Sequence, residues 1–356
     1  MHRRDFLRYT GLASAGLAFP SIPNALAQAP SGWRTFEVTT RVEVLKPAGV
    51  TRVWLPVPLL TETGYIKPLG NSQHAEGGTV STDTRQDAGM VWGEWDAGVK
   101  PVLLLTSRFA TRDVAVDLSK PGTASAEDPA VLGKYLISTD YMPTDGAVKD
   151  LSSSIVKGSK TDMEKARAIY EWIVENTYRD GKVRGCGLGD VKFMVENKAW
   201  GGKCADLNAL YVALARAEGI PARDVYGCRV ADSALGYKSL GKSGDVTKAQ
   251  HCRAEVYLTG YGWVPVDPAD VRKVILEEGG GKLPDDPMVL AARQRLFGSW
   301  EMNWVAYNFS HDVALPKATR GTLAFFMYPQ CETADGRLDP LDPDNFRYTM
   351  TSREIA

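Results

Sequence analysis

Histidine and cysteine are scarce in these 356 residues, with four of the first and five of the second. No Cys-x-x-Cys pair occurs anywhere in the chain, so the common zinc-ribbon and dithiol motifs are excluded. No excess of either charge exists: 42 Lys and Arg face 43 Asp and Glu, a formal net charge of −1. That balance leaves out the basic footprint of a nucleic-acid binder or of a protein held on an anionic membrane. Nucleotide-cradling loops are missing too. The glycine-rich runs RGCGLGD (184–190) and GGGKL (279–283) lack the following Gly-Lys-Ser/Thr and fit neither nucleotide fingerprint. No internal repeat or low-complexity tract stands out. Any chemistry must rest on few residues.

The start of the chain carries paired arginines, Arg3 and Arg4, then the small apolar stretch GLASAGLAF and an Ala-Leu-Ala at 25–27. This is the layout of a secretory leader, and the twin arginine points to the Tat variety over residues 1–27. The run from Gly11 to Phe19 falls short of the roughly 20 apolar residues a span requires, so no transmembrane anchor is expected once the leader is cleaved. The expected location is the bacterial periplasm or beyond. In an oxidising compartment cysteines read as bridge candidates, and an odd count leaves at least one thiol over. Cys204 is expected to stay free, with Cys186 bonded to Cys228, Cys252 or Cys331.

Residues 28–125 read as a β module. FEVTTRVEVL, TRVWLPVPLL, GMVWGEW and VLLLTSRFATRDVAVDL are strand-like runs parted by Gly, Pro, Asn and Asp clusters, the pattern of an antiparallel sandwich. After the linker SKPGTASAEDPA the period changes. MEKARAIYEWIVENTY sets Ala166, Ile169, Trp172, Ile173 and Tyr178 near helical spacing behind a capping box, TDME. The stretch WGGKCADLNALYVALARAEGIPAR follows, then the strands ARDVYGCRV, HCRAEVYL and GWVPVD. This core is drawn over 126–283, with a strand-bearing extension over 284–356. The fold class is α+β.

Cys204 opens a helix that runs to about Glu218 and ends at Gly219 and Pro221. Leu207, Leu210, Tyr211 and Leu214 line one face of it. A thiol at a helix N-terminus meets free backbone N–H groups and the positive end of the dipole, which favour thiolate. The bland alternative is a cysteine serving as a small buried hydrophobe. A thiol hydrolase also needs a base. His251 begins one strand and Asp267 ends the next, sixteen residues later, across a tight TGYG turn. Adjacent antiparallel strands bring the two together, so Asp267 can orient the imidazole. Cys252, the next residue along the strand, is expected to point away.

Together GGKCADLNALYVALARAEGIPAR, HCRAEVYL and GWVPVDP resemble the transglutaminase-like, papain-related Cys–His–Asp group over about residues 161–275. The resemblance implies a papain-like core in which the cysteine helix packs on an antiparallel sheet. It also implies Cys204 as nucleophile, His251 as base and then acid, and Asp267 as orienter, attacking an amide of a peptide, protein or cell-wall peptide through a thioester. No cofactor and no metal enter that chemistry. The Cys204 N–H is the first oxyanion donor; Trp200, Asn197, Tyr178 and Gly202 are the further oxyanion or substrate candidates. Two departures stand out. Arg253 occupies a position where the family often has tryptophan, and the 231–250 connection is long, either a lid or a solvated loop. Three other readings remain at this level: a non-catalytic binding or scaffold protein on the same fold, a zinc site from Cys204, His251 and a second cysteine, and calcium at Asp339, Asp342 and Asp344, where turn chemistry is favoured.

Overall fold

The computed structural model describes residues 32–122 and 124–356. The expected leader, 1–27, lies outside them. Six strands come first: β1 (Arg34–Val44), β2 (Thr51–Pro56), β3 (Ile66–Glu76), β4 (Thr79–Arg85), β5 (Ala88–Trp95) and β6 (Val102–Thr111). They divide between two sheets, β1, β6 and β3 in one and β2, β5 and β4 in the other, each antiparallel. Alternate residues of β1, Val42 and Val44, meet Val53, Leu55 and Val91 of the opposite sheet in a shared apolar core. That is the period-two burial a sandwich demands.

After two helices at Pro129–Lys134 and Gly146–Ile155, the helix that leads into the site, here α1, spans Asp162–Asn176. Its capping box is closed: Glu164 N–H donates to Thr161 Oγ1 at 3.2 Å, and Thr161 N–H donates to Glu164 at 3.0 Å. Ala166, Ile169, Tyr170, Ile173 and Val174 form its buried stripe. Ala166, Ile169 and Ile173 match the expected stripe; Trp172 is only half-buried and Tyr178 lies beyond the helix, exposed, while Tyr170 and Val174 complete the buried face. A short helix, α2 (Val191–Glu196), precedes α3 (Cys204–Ala217). All fourteen residues of α3 are buried, not one face as the sequence suggests. Helices pack on one side and the sheet on the other. The polar residues Asp206, Asn208 and Arg216 therefore had to find partners inside. Arg216, for example, donates to the carbonyls of Ala222 and Ile137. Gly219, at φ +76°, closes the helix: its N–H bonds Arg216 O while Ile220 N–H bonds Ala215 O. These two bonds make a Schellman stop, which needs a left-handed residue at that point.

Strands β7 (Ala222–Arg229), β8 (Gln250–Leu258) and β9 (Gly262–Val266) follow, then α4 (Pro268–Glu277) and β10 (Trp304–Asn308). The central sheet runs β9-β8-β7-β10 and is antiparallel throughout. The 231–250 connection is solvated in part and anchored in part. Tyr237, Leu240, Val246 and Ala249 are buried, and Leu240 O accepts from both Arg229 and Asn303.

The last strands, β11 (Gln330–Thr333) and β12 (Phe346–Glu354), return to the sandwich. β11 pairs with β2, and β12 pairs with β1 along nine residues. These two strands of the segment drawn as a C-terminal extension thus complete the first module, while Trp304–Asn308 of the same segment belongs to the central sheet.

Candidate active site

The register of β8 and β9 sets the geometry. Ala254 faces Val266, so the next opposed pair is Arg253 and Asp267, with His251 one diagonal step away on the same face. The His251 Nε2 to Asp267 Oδ2 distance is 2.8 Å. Asp267 also caps α4: its Oδ1 accepts the Asp270 N–H at 3.0 Å and Asn208 Nδ2 at 3.2 Å. The carboxylate is therefore fixed by a helix start and by the helix that carries the thiol.

Cys204 is the first residue of α3. The loop 184–189 is strapped to that helix tip. Ala205 N–H donates to Cys186 O at 2.9 Å, while Asp206 takes the N–H groups of Leu188, Gly189 and Lys203. Gly187 is required here, since a Cβ would fall 1.9 Å from Asp206 Oδ2. The Cys204 sulfur lies within hydrogen-bonding reach of the Cys186, Cys252 and His251 side chains. It is 4% exposed and sits at the edge of the main apolar core, with the His251 imidazole and two further thiols beside it.

None of the five cysteines is disulfide-bonded, so the expected bridge from Cys186 does not form. Its partner instead is a carbonyl, that of Gln250, at 3.2 Å. Cys252 is a second correction. α3 crosses β8 here, with Asn208 Nδ2 donating to Cys252 O at 2.9 Å, and the Cys252 side chain acts with that of His251 on the Cys204 sulfur. Alternation alone could not foresee that crossing. Cys252 therefore faces the sulfur instead of pointing away.

Sequence reasoning missed Asp270 and Arg229. Asp270 Oδ2 stands 3.3 Å from His251 Nε2, and both its oxygens take Arg229 Nη2 at 2.7 and 2.8 Å. The signal was available, since Asp270 is the third residue of the helix Asp267 caps. Arg253 stands 3.7 Å from Asp267 Oδ2, with its guanidinium over the rings of Trp300 and Trp304. Aromatic packing thus survives around the position where tryptophan was expected, supplied by β10 and the residues before it. The ionised groups balance within the cluster: Cys204, Asp267 and Asp270 against His251, Arg229 and Arg253.

Hydrogen bonds from Cys186 and Cys252, then the bond and charge of His251, outweigh burial and hold the Cys204 thiol well below its usual range. Burial and Arg229 push His251 down, but Asp270 and Asp267 prevail and bring it up to about 9. Burial and the adjacent Asp270 raise Asp267, whereas Arg229 overcomes burial to hold Asp270 well below the carboxylate range. Both shifts run in the direction that favours a thiolate beside an imidazolium.

The sign of the pH dependence follows. A histidine raised to about 9 keeps its proton through neutrality, and the benefit to folding is lost as pH rises through that value. The depressed thiol keeps its charge until pH falls through its own low value. Alkylation of Cys204 by iodoacetamide should therefore persist well below the pH at which Cys228, pushed up to about 12 by burial, reacts. Rates measured across pH on the folded protein check this; equal profiles for the two thiols would contradict it.

The other sequence candidates are placed as follows. Asn197 ends α2, its Nδ2 on Phe193 O at 2.9 Å. The Tyr178 ring covers Gly201, whose Cβ position lies 2.5 Å from it, and Tyr178 is 53% exposed. Trp200 meets Trp172 edge-on at 5.2 Å, and its carbonyl accepts Tyr178 N–H. Gly202 is buried and its carbonyl takes Asp180 N–H at 3.0 Å. None of these contacts aims a side-chain donor at the sulfur. Asp339 and Asp342 accept turn N–H groups, and Asp339 pairs with Arg184. As for a metal, the one grouping of suitable ligand atoms among the described residues is His251, Asp267 and Asp270, without a cysteine. Arg229 and Arg253 already supply the cationic charge there, so a metal ion would meet repulsion. No helix among the described residues is long and apolar enough to cross a membrane.

Comparison with known proteins agrees with the arrangement. Residues 149–268 match the transglutaminase-like superfamily. An uncharacterised protein of Haemophilus influenzae is 33% identical over 339 residues, 90% of this chain and 91% of that one. The crystal structure of a protein from Cytophaga hutchinsonii, described as a candidate cysteine protease, superposes with a TM-score of 0.51 at 18% identity, covering 91% of this chain and 99% of that one, a likeness of fold. With the cysteine helix, the antiparallel sheet and the matched segment in agreement, the chain belongs to the transglutaminase-like superfamily.

Proposed function

We propose that the protein is an exported thiol hydrolase that cleaves an amide through a Cys204 thioester. The observation carrying this reading is the buried Cys204–His251–Asp267 chain, with the sulfur in reach of the imidazole and the imidazole 2.8 Å from the carboxylate. Cys204 thiolate attacks the amide carbonyl. The developing oxyanion takes the Cys204 N–H, one of the free donors of the first helical turn. His251, already protonated, gives its proton to the leaving amine. Neutral His251 then draws a proton from water, which opens the thioester and releases the acid. Asp267 and Asp270 stabilise the imidazolium at the start and end of the cycle.

Hydrolysis is favoured over transfer to a second amine because water is the abundant acceptor unless a site excludes it. The twin-arginine segment supports export, and a peptide or cell-wall amide is the substrate class such a location offers. One observation favours the non-catalytic alternative: at 4% exposure, substrate reaches the sulfur only after neighbouring groups move.

A small electrophile separates the two. The native protein is treated with a peptidyl chloromethyl ketone series and with iodoacetamide, and the modified residue is mapped by mass spectrometry. Modification at Cys204 by a peptide-bearing reagent, faster than at any other thiol, is the expected result. Labelling of Cys186 alone, or of no thiol until the protein unfolds, would overturn the enzymatic reading.

A further inference from the structure

Three thiols meet at the site, where an amide-cleaving mechanism uses one. Cys186 and Cys252 each lie in hydrogen-bonding reach of the Cys204 sulfur, and each is a free thiol. They differ in setting. Cys252 sits inside β8, its carbonyl taken by Asn208 and its position opposed by Tyr226 of β7. A strand held on both sides cannot shift to let its sulfur close on another. Cys186 sits in the strapped loop, between Gly185 at φ +55° and Gly187 at φ +96°, and Gly189 follows at +70°. The loop is tied to the helix tip but belongs to no sheet, so a local shift of Cys186 breaks no strand pairing.

Its backbone is also in the right place. The Ala205 N–H bond to Cys186 O, 2.9 Å, holds the Cys186 backbone against the residue next to Cys204. A disulfide joins segments that already lie side by side. The Cys186 thiol touches Gln250 O, the residue before His251, at 3.2 Å. Cys186 is thus bracketed by the residue after the nucleophile and the residue before the base.

We propose that Cys186 is a resolving thiol, and that a peroxide converts the pair Cys186–Cys204 into a reversible disulfide that shields the nucleophile from irreversible oxidation. The proposal rests on Cys204 being the nucleophilic thiol of the site. Cys204 thiolate attacks one peroxide oxygen and the O–O bond breaks. The departing oxygen takes the His251 proton, leaving as water or an alcohol, and Cys204 becomes a sulfenic acid. The Cys186 sulfur then displaces hydroxide from that sulfenic acid, and the Cys186 proton leaves with it as water. Two thiols lose two electrons and the peroxide gains them. Peroxide of water-like size reaches a sulfur that a peptide cannot without rearrangement. The low thiol range of Cys204 suits the attacker, and the first cause that raises Cys186, its hydrogen bond to Cys204, changes once Cys204 has become a sulfenic acid.

The experiment reads mass, so it does not depend on any amide substrate. The full folded chain is treated with hydrogen peroxide, remaining thiols are blocked with N-ethylmaleimide, and peptides are mapped without reduction. The expected product is a Cys186–Cys204 linked peptide that dithiothreitol reverses. Cys186→Ser should instead carry two or three added oxygens on Cys204, not removed by dithiothreitol. Cys252→Ser should still form the 186–204 link. A Cys204–Cys252 link, or Cys204 over-oxidised in the parent while Cys186 stays free, overturns the proposal. Peroxide mapping of the unsubstituted chain decides the matter even if Cys186→Ser fails to fold. Failure of the amide-cleaving reading would show separately, as a Cys204 that forms this link yet accepts no peptidyl reagent.

Discussion

Cys204→Ala keeps the fold and loses turnover by on the order of 10⁶-fold, His251→Ala loses about as much, and the double variant is no worse than either. The fold survives because alanine is the best residue for the first turn of α3, and the backbone bonds that seat the helix belong to Cys186, Ala205 and Asp206 rather than to the sulfur. The losses do not add because thiolate and imidazolium act as a unit. Without His251 the sulfur loses a hydrogen bond and an adjacent positive charge, so its hold on a low thiol range weakens. Without Cys204 the imidazolium has no acyl group to serve. The comparison is of kcat on one peptide amide that the parent cleaves, with circular dichroism to verify folding. A double variant much slower than each single one would show that the two residues act at separate steps, and the ion-pair reading would fall.

The sequence made the local geometry of the site more legible than the packing around it. Cys204 at a helix start could be read from the glycines before it and Gly219 after it. The meeting of His251 and Asp267 followed from a hairpin whose two strands and turn are written locally. Local signals of that kind need no knowledge of what packs above. What failed was long-range. The complete burial of α3 depends on helices and a sheet contributed from elsewhere in the chain, so an apolar stripe understated it. Cys252 could not be oriented without knowing that α3 crosses β8 at its position. The sandwich was half-read, because β11 and β12 lie more than two hundred residues from the strands they join. Asp270 escaped notice because a carboxylate in the first turn of a helix has an ordinary explanation in the dipole. Its partner, Arg229, sits 41 residues away.

Arg229→Met should lower stability by about 3–5 kcal/mol at neutral pH, the cost of leaving one member of a buried pair without its partner. Both side chains of the Arg229–Asp270 pair are at most 4% exposed, and the two guanidinium–carboxylate bonds are 2.7 and 2.8 Å. Removing Asp270 as well, as Arg229→Met/Asp270→Asn, should recover much of the loss, because the stranded charge goes with it. The pH sign distinguishes this cause from lost packing. Asp270 is held well below the carboxylate range by Arg229, so the parent draws stability from it above about pH 4 and gives that up as pH falls through the lower folded value. In Arg229→Met the bare carboxylate takes a proton more readily, so its deficit should shrink on acidification; a deficit due to packing alone would not change. Urea midpoints at several pH values measure this. Asp270→Asn alone adds a functional readout. It removes one of the two carboxylates that bring His251 up to about 9, so the alkaline limb of the pH–rate profile should move to lower pH. An unmoved limb would mean that Asp267 alone sets the imidazole, and that Asp270 serves only to neutralise Arg229.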